Sequence, residues 1–234
     1  MAEKKNLKAK IKITKNGPYT VSGSVPLGKE IIISDESGVP KSWKAGEKYP
    51  DQESYVLCRC GQSKNKPFCD GAHLKNGFDG TETADKTKYS EQAQVIEGRD
   101  LILTDAQDLC AVGRFCHRGG SAWELALRSD RPESKKMAIA DACDCPSGRL
   151  VAWEKGSKKR IEPNFKIQIS LVEDPFRRQS GPLWVKGGIP VQSEDGTLYE
   201  IRNRVTLCRC GQSKNKPFCD GTHCEINFQD GHKF

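Results

Sequence analysis

The sequence has no long hydrophobic run: its stretches of branched aliphatic residues, such as Ile31–Ile33 and Leu101–Leu103, stop at three. A membrane-spanning helix needs roughly 20 consecutive apolar residues, so none is expected. The N-terminal MAEKKNLKAK has lysines with no apolar stretch behind them, and no secretory signal peptide is expected there. Gly-x-Gly-x-x-Gly, Walker and nucleophile-elbow motifs are all missing, as are paired acid–base signals. That argues against independent enzymatic activity. The hydrophobic fraction is only 35%, and the 22 glycines add about 9%, which sits at the low edge for soluble globular chains. One large core is therefore not expected in 234 residues, and small domains with extra support fit better. The net charge of +7 is spread along the chain, with no arginine-rich block or interleaved stacking aromatics. It reads as a solvated basic surface suited to acidic protein partners rather than to nucleic acid.

What the sequence does have is cysteine. Eleven are too few for a dense disulfide scaffold and too many to be incidental. In a soluble, cytoplasmic chain they read as metal ligands. Residues 57–71, LCRCGQSKNKPFCDG, recur letter for letter at 207–221, and a histidine follows each copy, His73 and His223. Upstream of each copy lies a looser related stretch, NGPYTVSGSVPL from Asn16 and SGPLWVKGGIPV from Ser180. Short alternating strands broken by Gly and Pro are expected in both places. Further strands are predicted at 9–14 and 30–34 in the first unit, and at 166–172 and 197–202 in the second. Two related β-rich units, 1–80 and 164–234, thus bracket a distinct middle, 81–163. The polar stretches 80–98 and 155–163 read as linkers.

Each motif spaces its ligands Cys-x-Cys-x8-Cys-x3-His. Cys69 and His73 lie about one helical turn apart and can face one metal ion, with Asp70 as N-cap. Cys58 and Cys60 alternate along extended chain, point the same way, and can chelate a second ion. Pro67 stiffens the loop, and Ser63 is a candidate donor to bridging sulfides. Three thiolates and one imidazole suit tetrahedral zinc or an iron–sulfur centre, and the spacing leaves both open.

CRCGQSKNKPFCDGAH and CRCGQSKNKPFCDGTH resemble the CDGSH motif of the mitoNEET-type iron–sulfur proteins at every ligand position. Ala72 and Thr222 are departures that touch no ligand. The resemblance covers about 60 residues of each outer unit. It implies one [2Fe–2S] cluster per motif, with Cys58 and Cys60 on one iron and Cys69 and His73 on the other. Cys208, Cys210, Cys219 and His223 form the second set. Neutral imidazole in place of a thiolate raises the reduction potential, and its free nitrogen couples the site to protons.

The middle expects a strand at 99–105 and a capping box at Ser121–Glu124 that opens a helix with Trp123, Ala126 and Leu127 on its apolar side. A second helix at 133–142 and a strand at 150–154 follow. Cys110 and Cys116 read as a bacterial ferredoxin loop whose middle cysteine is Gly113, and Cys145-Pro146 supplies the terminal Cys-Pro. The segment resembles the divergent single-cluster ferredoxin-like domains that some bacterial proteins fuse to CDGSH modules. Three ligands suit a [3Fe–4S] centre; a [4Fe–4S] centre needs a fourth, for which Cys143 is the nearest candidate. A ferredoxin-like fold without a cluster is the alternative. His117 reads as a loop residue, Cys224 as a spare thiol, and His232 carries no signal.

The expected architecture is therefore α+β, two small CDGSH modules flanking a ferredoxin-like domain. The expected function is electron transfer or iron–sulfur cluster transfer to a redox partner or an apo acceptor. A structural zinc protein and a redox subunit of an oxidoreductase are the alternatives. A monomer is expected in which the two outer units pair around an internal pseudo-two-fold axis.

Overall fold

The computed structural model describes residues 8–231, so His232 lies outside the described residues. The N-terminal unit contributes β1 (Lys10–Ile13), β2 (Tyr19–Ser22), β3 (Leu27–Ser34), β4 (Pro40–Lys48) and β5 (Ser54–Leu57). The middle follows with α1 (Tyr89–Gln92), β6 (Gln94–Glu97), β7 (Leu101–Asp105), α2 (Ala122–Leu127), α3 (Pro132–Asp144), β8 (Leu150–Glu154) and β9 (Arg160–Ile161). The C-terminal unit adds β10 (Gln168–Asp174), β11 (Gln179–Lys186), β12 (Val191–Gln192), β13 (Arg204–Leu207) and α4 (Thr222–Glu225). The fold class is mixed α+β.

Neither outer unit keeps its strands to itself. One sheet runs β12-β1-β2-β5 and a second runs β13-β11-β10-β3-β4. In the first, β12 lies parallel to β1, Val191 opposite Ile11. In the second, β3 lies parallel to β10, Leu27 opposite Ile169. The third strand of each unit thus joins the first strand of the other, a reciprocal exchange about a pseudo-two-fold axis. The cause is visible in the alternation. β1 buries Ile11 and Ile13 between exposed or half-exposed lysines, and β2 buries Tyr19 and Val21. These few side chains meet Ile169, Leu171, Leu183, Val185 and Leu207 in one core drawn from both units. Each such burial contributes roughly 1.5–3 kcal/mol, too little for either unit alone to offset its chain entropy.

The stretch 197–202, expected as a strand, forms only a single bridge from Leu198 to Gln192. Leu198 and Ile201 are more than half exposed and have no sheet face to cover. The stretch 80–98 is more than a linker. Thr83 and Ala84 donate backbone N–H groups to the Lys216 carbonyl, and Glu82 accepts from Tyr199 Oη at 2.7 Å. Within it β6 joins the sheet β6-β7-β8-β9, and 155–163 likewise supplies β9.

The middle domain packs α2 and α3 on its antiparallel sheet around Leu101, Leu103, Ala122, Ala126, Ala138 and Leu150. Ser121 caps α2 as the sequence suggests, its Oγ accepting from Glu124 N. Leu127, expected on the apolar side, is half exposed, because Ala122 and Ala126 fill the contact. An aromatic cluster joins the domains: Trp43 from β4 lies 4.8 Å from Phe115 and 4.7 Å from Trp184 between ring centroids.

Candidate metal centres

Each motif begins where its last sheet strand ends. Cys58 follows β5 and Cys208 follows β13, and each backbone N–H donates to the carbonyl of Pro67 or Pro217 at 2.8 Å. The chain bends after each strand and brings the Sγ atoms of Cys58 and Cys60 within 3.8 Å; Cys208 and Cys210 repeat this at 3.7 Å. Asp70 closes the second half of the loop by accepting from Lys64 N at 2.8 Å and Ala72 N at 3.0 Å. Gly71 at φ 84° turns the chain into a short 3-10 turn, Ala72–Leu74. That sets His73 Nδ1 3.4 Å from Cys69 Sγ; in the second motif His223 Nδ1 lies 3.3 Å from Cys219 Sγ.

These distances test the ligand assignment. Two sulfurs bound tetrahedrally to one ion at about 2.3 Å lie about 3.8 Å apart, and a sulfur–nitrogen pair sits slightly closer. Cys–Cys and Cys–His each match that spacing as a pair. Among the described residues, no three His, Cys, Asp or Glu side chains converge on a single ion position. The donor set in each motif, three thiols and an imidazole in close pairs, fits an iron–sulfur group.

Ser63 does something other than expected. Its hydroxyl donates to the Phe68 carbonyl at 2.6 Å and accepts from Asn65 N at 3.0 Å, so it braces the loop instead of facing a sulfide. Sequence reasoning also missed the arginine inside each Cys-Arg-Cys. Arg209 is buried and donates to the Gly181 carbonyl at 2.6 Å, to Glu173 at 2.8 Å and to Asp230. Burial works against its charge, but Glu173 and Asp230 hold its pKa above the ordinary value. Arg59 has Gly80 where Arg209 has Asp230, donates to that carbonyl, and packs against Tyr19 and Phe78. Their fifteen-letter repeat is itself the signal: a buried cation conserved between two copies of one chain needs a structural partner.

The surroundings of the two motifs differ. Cys219 and His223 are buried, whereas Cys69 and His73 are half-buried. Burial, reinforced by Arg209, lowers the His223 pKa to about 4, so its ring stays neutral. Cys58 is pushed up by burial and then by the neighbouring Cys60, and Cys219 by burial. A bound metal would displace these thiol protons.

In the middle domain Cys110, Cys116 and Cys145 line one small pocket, together with Gly113, Pro146 and Arg149. Burial, with Cys145 and Cys110 close by, pushes the Cys116 thiol up to about 12. Arg149 and Arg114, both unnoticed in the sequence, bring positive charge to this cavity; Asp105 holds Arg149 through two bonds of 2.6 and 2.8 Å, and Asp174 holds Arg114 at 2.6 Å. Cys143 does not join the three. It lies in the last turn of α3, outside the cavity wall, with its Sγ 3.7 Å from the Ile161 carbonyl. His117 packs at a tilt against Trp123, ring centroids 5.6 Å apart, and Cys224 is half-buried beside the second motif.

Residues 16–74 and 180–224 match the iron-binding zinc finger of CDGSH type, and residues 96–155 match a divergent 4Fe-4S mono-cluster domain. Both outer units are CDGSH modules. The chain is thus an iron–sulfur protein with two CDGSH modules flanking a divergent mono-cluster domain. No curated protein matches it. The matched regions contain all eight candidate ligands of the two motifs and the three cysteines that share the middle cavity.

The three sites touch. A Cβ on Gly61 would lie 2.4 Å from the Cys210 carbonyl oxygen, and one on Gly211 would lie 2.5 Å from that of Cys60. The CDGSH loops therefore meet back to back. The cysteine loop of the middle domain presses on the second module, where a Cβ on Gly221 would lie 2.5 Å from Val112 and 3.4 Å from the Cys110 carbonyl.

Proposed function

We propose that this protein is an electron carrier rather than an enzyme, with each CDGSH module holding one [2Fe–2S] cluster through three cysteines and one histidine. Cys58 and Cys60 would bind one iron and Cys69 with His73 the other; Cys208, Cys210, Cys219 and His223 repeat the pattern. Cys110, Cys116 and Cys145 would hold a third centre, [3Fe–4S] or a [4Fe–4S] with one iron lacking a protein thiolate. When bound, the clusters supply one-electron redox chemistry. The residues around them hold the ligands in place, exclude water and, at Arg149 and Arg209, offset negative charge.

The observation that carries this reading is the pairing of ligands into Cys–Cys and Cys–His sets at 3.3–3.8 Å. Such pairs suit two metals per motif, whereas a structural zinc would call for four ligands around one ion. Direct contact among the three loops favours passing electrons internally over releasing clusters. We place the protein in the cytoplasm, as a monomer that meets a redox protein rather than a membrane or nucleic acid. Among the described residues no helix is long and apolar enough to cross a membrane.

Iron and sulfide analysis of anaerobically purified protein, with a redox titration followed by visible absorption, tests the proposal. Iron–sulfur protein is coloured and bleaches on reduction. A colourless protein with two zinc ions would overturn it, and quantitative handover of iron to an apo acceptor would replace electron transfer with cluster transfer.

A further inference from the structure

The two CDGSH motifs share fifteen identical residues, so differences in their exposure come from what packs on them. On the C-terminal module the middle domain seats a cysteine loop. Val112 and the Cys110 carbonyl lie over Gly221, and Asn215 Nδ2 donates to the Asp108 carbonyl at 2.9 Å. Beneath this contact Cys219 and His223 are only 3% and 5% exposed. The corresponding face of the N-terminal module is open. A Cβ on Gly71 would meet nothing within 4 Å, and Asn65, the counterpart of Asn215, is exposed.

The open face also differs in composition where the repeat ends. Cys224 and Glu225 follow His223, whereas Leu74 and Lys75 follow His73. Leu74 is 81% exposed, the most exposed large hydrophobic side chain among those described. Lys75 follows it, and Lys64 lies in the same loop beside Asp70; all three are exposed. An apolar centre with two lysines against one carboxylate, beside a half-exposed histidine and on a chain of net charge +7, suits an acidic partner.

We propose that this face docks an acidic ferredoxin-type carrier, which presents its cluster loop to Gly71–Leu74 as the middle domain presents Cys110–Arg114 to Gly221. The inference rests on the electron-carrier reading and adds where electrons cross between molecules. The C-terminal module serves the internal contact and the N-terminal module the external one. One electron leaves the reduced carrier, which is oxidised by one, and reduces the N-terminal module by one; no bond forms or breaks.

The test uses the full chain, loaded anaerobically, and a reduced acidic plant-type [2Fe–2S] ferredoxin as probe. Stopped-flow absorption reads electron exchange, and carbodiimide crosslinking mapped by mass spectrometry reads docking. Lys64→Glu and Lys75→Glu should each slow exchange about tenfold or more while leaving reduction by dithionite unchanged. Ile226→Asp, an exposed position on the covered module, should exchange at the wild-type rate. Crosslinks should fall on Lys64 and Lys75. Wild-type exchange in both face variants, or crosslinks that are absent or map elsewhere, overturns the docking assignment. Crosslinks at Lys64 and Lys75 without electron exchange leave the docking face standing and overturn the carrier reading instead.

Discussion

Arg204 Nε donates to the carbonyl oxygen of Cys145 at 2.8 Å, and its Nη2 donates to that of Ala142 at the same distance. These carbonyls lie at the end of α3, where they also accept from Cys145 N at 3.3 Å and Gly148 N at 3.2 Å, so Arg204 braces a turn the backbone itself only loosely closes. Arg204 opens β13, which runs directly into Cys208, so one buried guanidinium ties the middle cavity to the second CDGSH loop. Glu162 completes the set at 2.9 Å.

Arg204→Ala should therefore destabilise the protein by on the order of 3 kcal/mol, because it removes charge-assisted bonds to these carbonyls and leaves the partly buried Glu162 carboxylate without its cation. The middle centre should be lost first. Thermal unfolding with iron counting checks this, and a variant that keeps all its iron and its melting temperature would refute it.

Gly61 sits at φ +73° with the Cys210 carbonyl pressed where a side chain would begin. Gly61→Ala combines left-handed backbone strain with a backbone clash, a cost of about 2–4 kcal/mol. Because the clash lands on the opposite motif, iron should fall at both CDGSH modules. Loss confined to the first module, resolved by spectra of single-motif variants, would show that the two loops are independent.

Gly113 stands where an ordinary ferredoxin loop has its middle cysteine, but a Cβ there would lie 2.9 Å from Pro146 Cδ. Gly113→Cys alone should lower the iron content of the middle domain rather than complete it. Adding Pro146→Ala should relieve the contact and restore iron. Frozen-solution spectroscopy reads both variants; full iron in the single variant would count against the packing argument.

Asp141 is fully buried beside Arg118, 2.8 Å away, and burial raises its pKa to about 6 despite that cation. A carboxyl whose folded pKa lies above its unfolded 3.8 stabilises the fold below pH 3.8. That contribution fades as pH rises through about 6 and is worth about 3 kcal/mol at most. Melting temperatures of wild type and Asp141→Asn between pH 4 and 7 should show the wild-type advantage shrinking as pH rises. A difference independent of pH would mean that Asp141 is ionised throughout.

Local signals were legible where the chemistry is local. The two repeated CDGSH motifs, the Ser121 cap and the β8 strand each announce themselves within a few residues. The strand exchange did not, because β12 is two residues long and owes its existence to β1, far away in sequence. β4 was hidden too: PKSWKAGEK begins with proline and shows little alternation, as suits an exposed edge strand. Arg149 and Arg209 escaped notice because Asp105, Glu173 and Asp230 reach them only through the tertiary fold. Cys143 looked eligible by proximity to Cys145, yet the last turn of α3 carries it toward β9.

The reciprocal exchange of strands also sets a timetable for synthesis. β1 cannot gain its parallel neighbour until Val191 and Gln192 have left the ribosome. At typical elongation rates that wait is roughly 10–35 s. Throughout it, the N-terminal half holds a complete set of thiols and one imidazole beside a half-built core. The first motif is thus made long before its supporting sheet, and stable metallation of both motifs awaits the last quarter of the chain.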